Sequence, residues 1–162
     1  MRVNYIIILQ LLLAAFCGFL FGAEREKSNK DAGIRTNMLV CMAACTLVII
    51  SKQGFLNAEA DVSRVAASVI PGIGFLGAGS IFMRGNRVFG LTSASLILIT
   101  TSVGMAIGAE LYQLAIICTA MVCIIMYGTR YFEGKKRKRL REETWADLTV
   151  EDKKQDQEKE QK

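Results

Sequence analysis

Apolar blocks separated by short polar loops predict an all-α membrane protein: a compact bundle of five transmembrane helices with a charged cytoplasmic tail. Three observations carry this. Hydrophobic residues make up 52% of the 162-residue chain and gather into runs long enough to cross lipid. Glycine is concentrated in one such run, DVSRVAASVIPGIGFLGAGSI at Asp61–Ile81, where Gly72, Gly74, Gly77 and Gly79 follow Pro71. In water each Gly costs a helix about 0.5–1 kcal/mol against Ala, and Pro about 3 kcal/mol. In lipid there is no hydrophobic drive for helix association, so small residues that let backbones approach become the contact surface. Finally, the composition turns charged at Gly134, with KKRKRLREE and VEDKKQDQEKEQK following. These observations divide the chain into a transmembrane domain, residues 1–130, and a charged cytoplasmic tail, residues 131–162, helical or disordered.

The first span is Tyr5–Ala23, which at ~1.5 Å per residue covers about 28 Å. Gly18 and Gly22 give it a GxxxG pair, a candidate close-contact face. Its length, and the blocks that follow, argue against a signal peptide. A polar loop, Glu24–Asn37, leads to a short apolar run, Met38–Ile50, which we extend back through Thr36, drawing Arg35 to the interface. The third helix is predicted over Ser63–Met83, bent or loosened near Pro71, and its glycines are expected to meet other helices. Arg84–Arg87 forms a short loop with turn chemistry at Gly85 and Asn86. The fourth helix, Gly90–Ala109, carries Gly104 and Gly108 as a second GxxxG and a hydroxyl-rich face of Thr92, Ser93, Ser95, Thr100, Thr101 and Ser102. Glu110 separates it from the fifth, Leu111–Tyr127, in a tight antiparallel hairpin.

Charge sets the orientation and excludes some functions. The net charge of +5 resides between and after the apolar blocks. A soluble nucleic-acid binder is therefore excluded, because the basic residues have no soluble domain to decorate. Arg25, Lys27, Lys30, Arg35, Arg84, Arg87 and the basic start of the tail fall on one side, against Arg2, Lys52 and Arg64 on the other. The positive-inside rule then places the N-terminus outside and the C-terminus in the cytoplasm. The basic run after the fifth helix reads as a stop-transfer anchor, with binding to anionic headgroups as the alternative. Cys17, Cys41, Cys45, Cys118 and Cys123 lie in apolar blocks without a CxxC, and the chain has no histidine. They read as small packing residues, so no metal and no cofactor is expected. Nothing resembles a catalytic nucleophile–base pair. The GxGxxG at Gly72–Gly77 follows no strand and is no nucleotide loop. The expectation is a protein that is not an enzyme.

Four segments carry a resemblance. GAERE at Gly22–Glu26, GIRTN at Gly33–Asn37, DVSRVAASVIPGIGFLGAGSI, and GLTSASLILITTSVGMAIGAELY at Gly90–Tyr112 look like the MgtC/SapB family, in its order and at its spacing. The resemblance implies a bacterial inner-membrane protein linked to growth under magnesium limitation and, in some pathogens, to survival inside host cells. It implies regulation of other membrane proteins in preference to magnesium transport. The chain departs from the common pattern at Ile70–Phe75, at Ser68 where many members have Gln, at Leu98 where many have an aromatic, and at Glu110 where many have a small residue. It resembles a short form, lacking the C-terminal ACT-type domain of long members, so functions lodged in that domain are not expected here.

The candidate functional polar residues are Glu24, Arg25, Glu26, Arg35 and Thr36 on the cytoplasmic face, and Asp61 and Arg64 on the outer face. The alternative for each is a helix cap or a side chain reaching to headgroups. Asp61 and Arg64, at i and i+3, fit an ion pair. Two polar clusters are expected, one at each face, with an apolar interior packed by Gly72, Gly74, Gly77, Gly79, Gly90, Gly104 and Gly108 between them. The expected partners are the lipid bilayer and another membrane protein or a second copy. A regulator of another membrane protein is favoured, since the helix centres contain no Asp or Glu. A cation or small-solute transporter or channel is the alternative, because the hydroxyls of the fourth helix and the break at Pro71–Gly79 can line a polar path.

Overall fold

The computed structural model describes residues 5–27, 32–54, 63–84 and 87–129. The chain divides into two compact units, residues 1–123 and 124–162. In the second the described residues are 124–129, helical, with the Thr129 hydroxyl donating to the Ile125 carbonyl at 2.8 Å. The elements in order are α1 (Tyr5–Lys27), α2 (Ile34–Gly54), α3 (Ser63–Gly79), β1 (Phe82–Arg84), β2 (Arg87–Phe89), α4 (Leu91–Gly108) and α5 (Tyr112–Thr129). Four of the helices, α1, α2, α4 and α5, are long and apolar enough to cross a membrane. Among the described residues α3 is shorter.

The faces of α1 show why this is a membrane bundle. Gln10, Ala14, Cys17, Gly18, Phe21, Gly22, Glu24 and Arg25 are buried, while Ile8, Leu9, Leu12, Phe16 and Phe19 face outward. Small and polar groups point in and large apolar ones point out, as lipid solvation requires. The buried positions of α2 run Asn37, Val40, Cys41, Ala44, Cys45, Val48, Ile49, the spacing of a helix seamed on both flanks.

Glycine sets the closest approaches. A methyl at Gly18 would overlap the Asn37 carbonyl, and one at Gly22 would overlap Ile34, so α1 lies on the start of α2. On α4, a methyl at Gly104 would overlap the Cys41 carbonyl oxygen, and one at Gly108 would sit 2.6 Å from that of Cys45. Both GxxxG pairs therefore seat on α2, and Cys41 and Cys45 supply part of the small surface that receives α4. The pairing also fixes direction. Gly18 meets Asn37 and Gly22 meets Ile34, so α1 and α2 are antiparallel. Gly104 meets Cys41 and Gly108 meets Cys45, so α2 and α4 are parallel, and the chain must return across the bundle between them.

That return is made by α3 and a small hairpin, which corrects the expected third helix. The helix ends at Gly79, before Met83, where the Ser80 and Ile81 amides donate to the Gly77 and Ala78 carbonyls at 3.1 Å each. β1 and β2 pair antiparallel, Phe82 with Phe89 and Arg84 with Arg87, and the two Phe rings stack with centroids 5.6 Å apart. Repeated Phe and Val favour extended pairing. Gly90, at φ 86°, then admits α4 so close to the Ser80 carbonyl that no side chain fits; it is a turn residue, not one that packs two helices. α3 runs through Pro71, which removes the amide that would bond to Ala67. Its glycines do not pack as expected. Gly77 is buried, with its absent Cβ 3.7 Å from that of Ala94, but Gly72, Gly74 and Gly79 meet nothing within 4 Å. Gly72, Gly74 and Gly79 are exposed, as are Ile70, Phe75 and Leu76.

Candidate functional site

A polar seam follows α4 through the bundle. At one end the Arg25 guanidinium donates to the Ser93 hydroxyl, with Arg25 and Ser93 each 2% exposed. Glu24 is buried beside it in sequence. Farther in, the Thr100 hydroxyl donates to Asn37 Oδ1 at 3.1 Å. The Asn37 amide in turn donates to the carbonyls of Ala32 at 2.6 Å and Gly33 at 3.0 Å, which ties the entry of α2 to the middle of α4. At the far end the Gln10 amide donates to the Ile107 carbonyl at 3.3 Å and to the Tyr112 hydroxyl at 3.1 Å. From Ser93 to Ile107 the seam covers about 21 Å of helix, roughly two-thirds of a hydrocarbon core. Beyond it, the Lys52 ammonium and Glu110 carboxylate form an ion pair of 2.8 Å.

The seam corrects the expectation of an apolar interior. Each of these groups is unaffordable in lipid alone and becomes tolerable once hydrogen-bonded across helices. The hydroxyls of α4 do not share one face. Ser93, Thr100 and Thr101 are buried, whereas Ser95 and Ser102 are exposed and donate to the carbonyls of Leu91 and Leu98 in their own helix. Thr92 is exposed as well.

The predicted site residues separate. Glu24 and Arg25 turn into the bundle. Glu26, Arg35 and Thr36 are exposed, with the Glu26 carboxylate beside Gly33 just before α2, where the positive end of a helix dipole suits it. Arg64 is exposed on the first turn of α3. Asp61, and with it the expected Asp61–Arg64 pair, lies outside the described residues, as does the tail from residue 130 onward. Sequence reasoning missed Gln10 and Asn37. The signal was present: each is an amide side chain in or beside an apolar run that must bury it. Among the described residues no three His, Cys, Asp or Glu side chains are grouped as a metal site.

Comparison with known proteins agrees with this architecture. The MgtC family pattern matches residues 11–135. The chain is 38% identical over 125 residues to the putative magnesium transporter YhiD of Escherichia coli K12, covering 74% of this chain and 58% of that protein. It is 38% identical over 112 residues to protein MgtC of Brucella abortus, covering 69% and 46%. Against protein MgtC of Salmonella typhimurium the identity is 36% over 115 residues, covering 71% and 48%. The chain thus spans about half the length of the curated relatives it matches. No solved structure matches it. With the family pattern covering most of the bundle, this multi-pass membrane protein belongs to the MgtC family.

Proposed function

We propose that this chain is a non-enzymatic protein of the bacterial inner membrane that regulates another membrane protein during adaptation to low magnesium. One observation carries the reading: three buried polar side chains, Arg25, Thr100 and Gln10, make hydrogen bonds from one helix to another. Arg25–Ser93, Thr100–Asn37 and Gln10–Ile107 each fasten one helix to another. The seam is then a set of fasteners that gives the bundle one arrangement. The exposed charges, Glu26 and Arg35, stand at the end where Lys/Arg asymmetry puts the cytoplasm, within reach of a partner. Residues 1–130 act as the membrane domain and residues 131–162 as a charged cytoplasmic tail. Glu24, Arg25, Glu26, Arg35, Thr36, Asp61 and Arg64 are the candidate functional residues under this reading.

The second reading is cation transport. The length of the seam favours it, and the E. coli relative is called a putative magnesium transporter. Flux separates the two. Purified protein in liposomes under an inward magnesium gradient should admit no more magnesium than empty liposomes. A protein-dependent flux abolished by Asn37→Ala would overturn the regulator in favour of transport.

A further inference from the structure

Outside the seam, the end of the bundle marked by Lys52 and Glu110 carries a cleft. It holds about 470 Å³ and is walled by α2, α3, α4 and the start of α5, with Ile70, Leu98, Met105, Leu111 and Leu114 among its lining. That volume falls in the range of about 300–1,000 Å³ of small-molecule sites. Its two hydroxyl-bearing residues are already engaged: Thr101 donates to the Ile97 carbonyl and Ser102 to that of Leu98. The wall is therefore apolar throughout. Ile70, Leu98, Leu111 and Leu114 are each about half exposed, so the cleft opens outward to the surface that lipid covers.

Leu111 and Leu114 also line a second depression of about 400 Å³, where Glu110, Tyr112 and Gln113 set polar groups beside the leucines. The apolar cleft thus shares Leu111 and Leu114 with a mouth that bears the Glu110 carboxylate. At the mouth Glu110 holds Lys52 at 2.8 Å, yet its side chain remains 57% exposed. The backbone there is unusual. The Glu110 and Leu111 amides close α4 on the carbonyls of Ile107 and Ala106, a helix end that calls for a left-handed residue. Glu110 fills it at φ 66°, where glycine would be unstrained. The chain accepts backbone strain to present a carboxylate at this point.

We propose that the cleft and its mouth bind one molecule of phosphatidylethanolamine. An acyl chain fills the apolar cleft. The headgroup meets the ion pair with complementary charges, its primary ammonium donating to the Glu110 carboxylate and its phosphate accepting from the Lys52 ammonium. The commitment to this lipid comes from the pair. A purely anionic headgroup would meet Glu110 with like charge, and a quaternary ammonium has no hydrogen to donate to it.

The test uses the full chain purified in mild detergent and stripped of lipid. Phosphatidylethanolamine, phosphatidylcholine and phosphatidylglycerol with the same acyl chains are added back in turn. Native mass spectrometry counts the lipids retained, and a thermal melt reports stability. One phosphatidylethanolamine should be retained, with about tenfold preference over phosphatidylcholine, the size of one charge-assisted hydrogen bond. Glu110→Gln should abolish the preference without ending acyl binding. Leu98→Trp, at a site exposed to lipid and so harmless to folding, should obstruct the cleft and lower retention of all three lipids; Met105→Trp repeats the test from a neighbouring position. Equal retention of the three lipids by the parent overturns the proposal, as does unchanged retention in both tryptophan variants. A second copy of the chain bound in place of lipid overturns it too.

Discussion

Asn37 shows at the scale of one residue how this bundle tolerates polarity. It has no exposure, yet its side chain accepts from Thr100 and donates to two carbonyls of the preceding loop. A buried acceptor that loses its donor retains the full cost of desolvation, about 1–3 kcal/mol. Thr100→Val keeps the shape and removes the donor, so it should lower stability by about that amount, read as a lower thermal midpoint in detergent. Asn37→Ala should cost more, because the loop carbonyls lose their partner as well. The double variant should cost less than the sum, since the two share one bond. If Thr100→Val melts like the parent, the seam does not fasten α2 to α4. Glu24 and Arg25 were legible as functional candidates from their place in GAERE. Their turn into the interior was not, because a helix one turn longer than its apolar run carries them past the expected boundary at Ala23 and onto the buried face.

The helices divide by what their glycines touch. Sequence spacing alone picked out both GxxxG pairs, and both pack on α2 because a four-residue step keeps the two glycines on one face. The cluster on α3 has no such regular step. Gly72, Gly74, Gly77 and Gly79 fall around the helix, so only Gly77 reaches a neighbour in the same chain. Alanine separates the two cases. Gly104→Ala places a methyl against the Cys41 carbonyl, where backbone must move, so it should destabilise by about 1–3 kcal/mol as overpacking does. Gly74→Ala meets nothing and replaces a poor helix former, so it should leave the thermal midpoint unchanged or raise it, by up to about 1 kcal/mol of stability. A loss at Gly74 equal to that at Gly104 would mean that the α3 face is packed against something other than lipid. The end of α3 at Gly79 was not legible for a related reason. The apolar run continues through Phe82 and Met83, and hydropathy does not distinguish a helix from a short hairpin of Phe and Val.

For the whole molecule, the parallel course of α2 and α4 bears most on how often the chain crosses. By length alone α3 is a weak span, and four crossings would return both ends of the chain to one side. Parallel neighbours argue against that count, since the chain must return between them. The chain leaves α2 at the Lys52 end, where Glu110 pairs with it, and enters α4 at the Arg25 end, where Ser93 is bound. At ~1.5 Å per residue the 17 residues of α3 supply about 26 Å of that return, and the hairpin turns the chain back beside Ser80 to enter α4. Gln10 binds both Ile107 and Tyr112, so α1 begins and α5 begins at the Lys52 end. The 18 residues of α5 are enough to carry the chain across once more. We propose five crossings, which would put the termini on opposite sides, with the Lys/Arg asymmetry as the guide to which is which. The Arg25 end has Lys27 and Arg35 nearby in sequence and the hairpin's Arg84 and Arg87, whereas the other end has Lys52 neutralised by Glu110. A reporter fused after Lys162 should therefore be active only in its cytoplasmic form, and one fused ahead of Met1 only in its external form. Both reporters active on one side would mean an even number of crossings. That result would break the parallel pairing of Gly104 with Cys41, and the seam built on it.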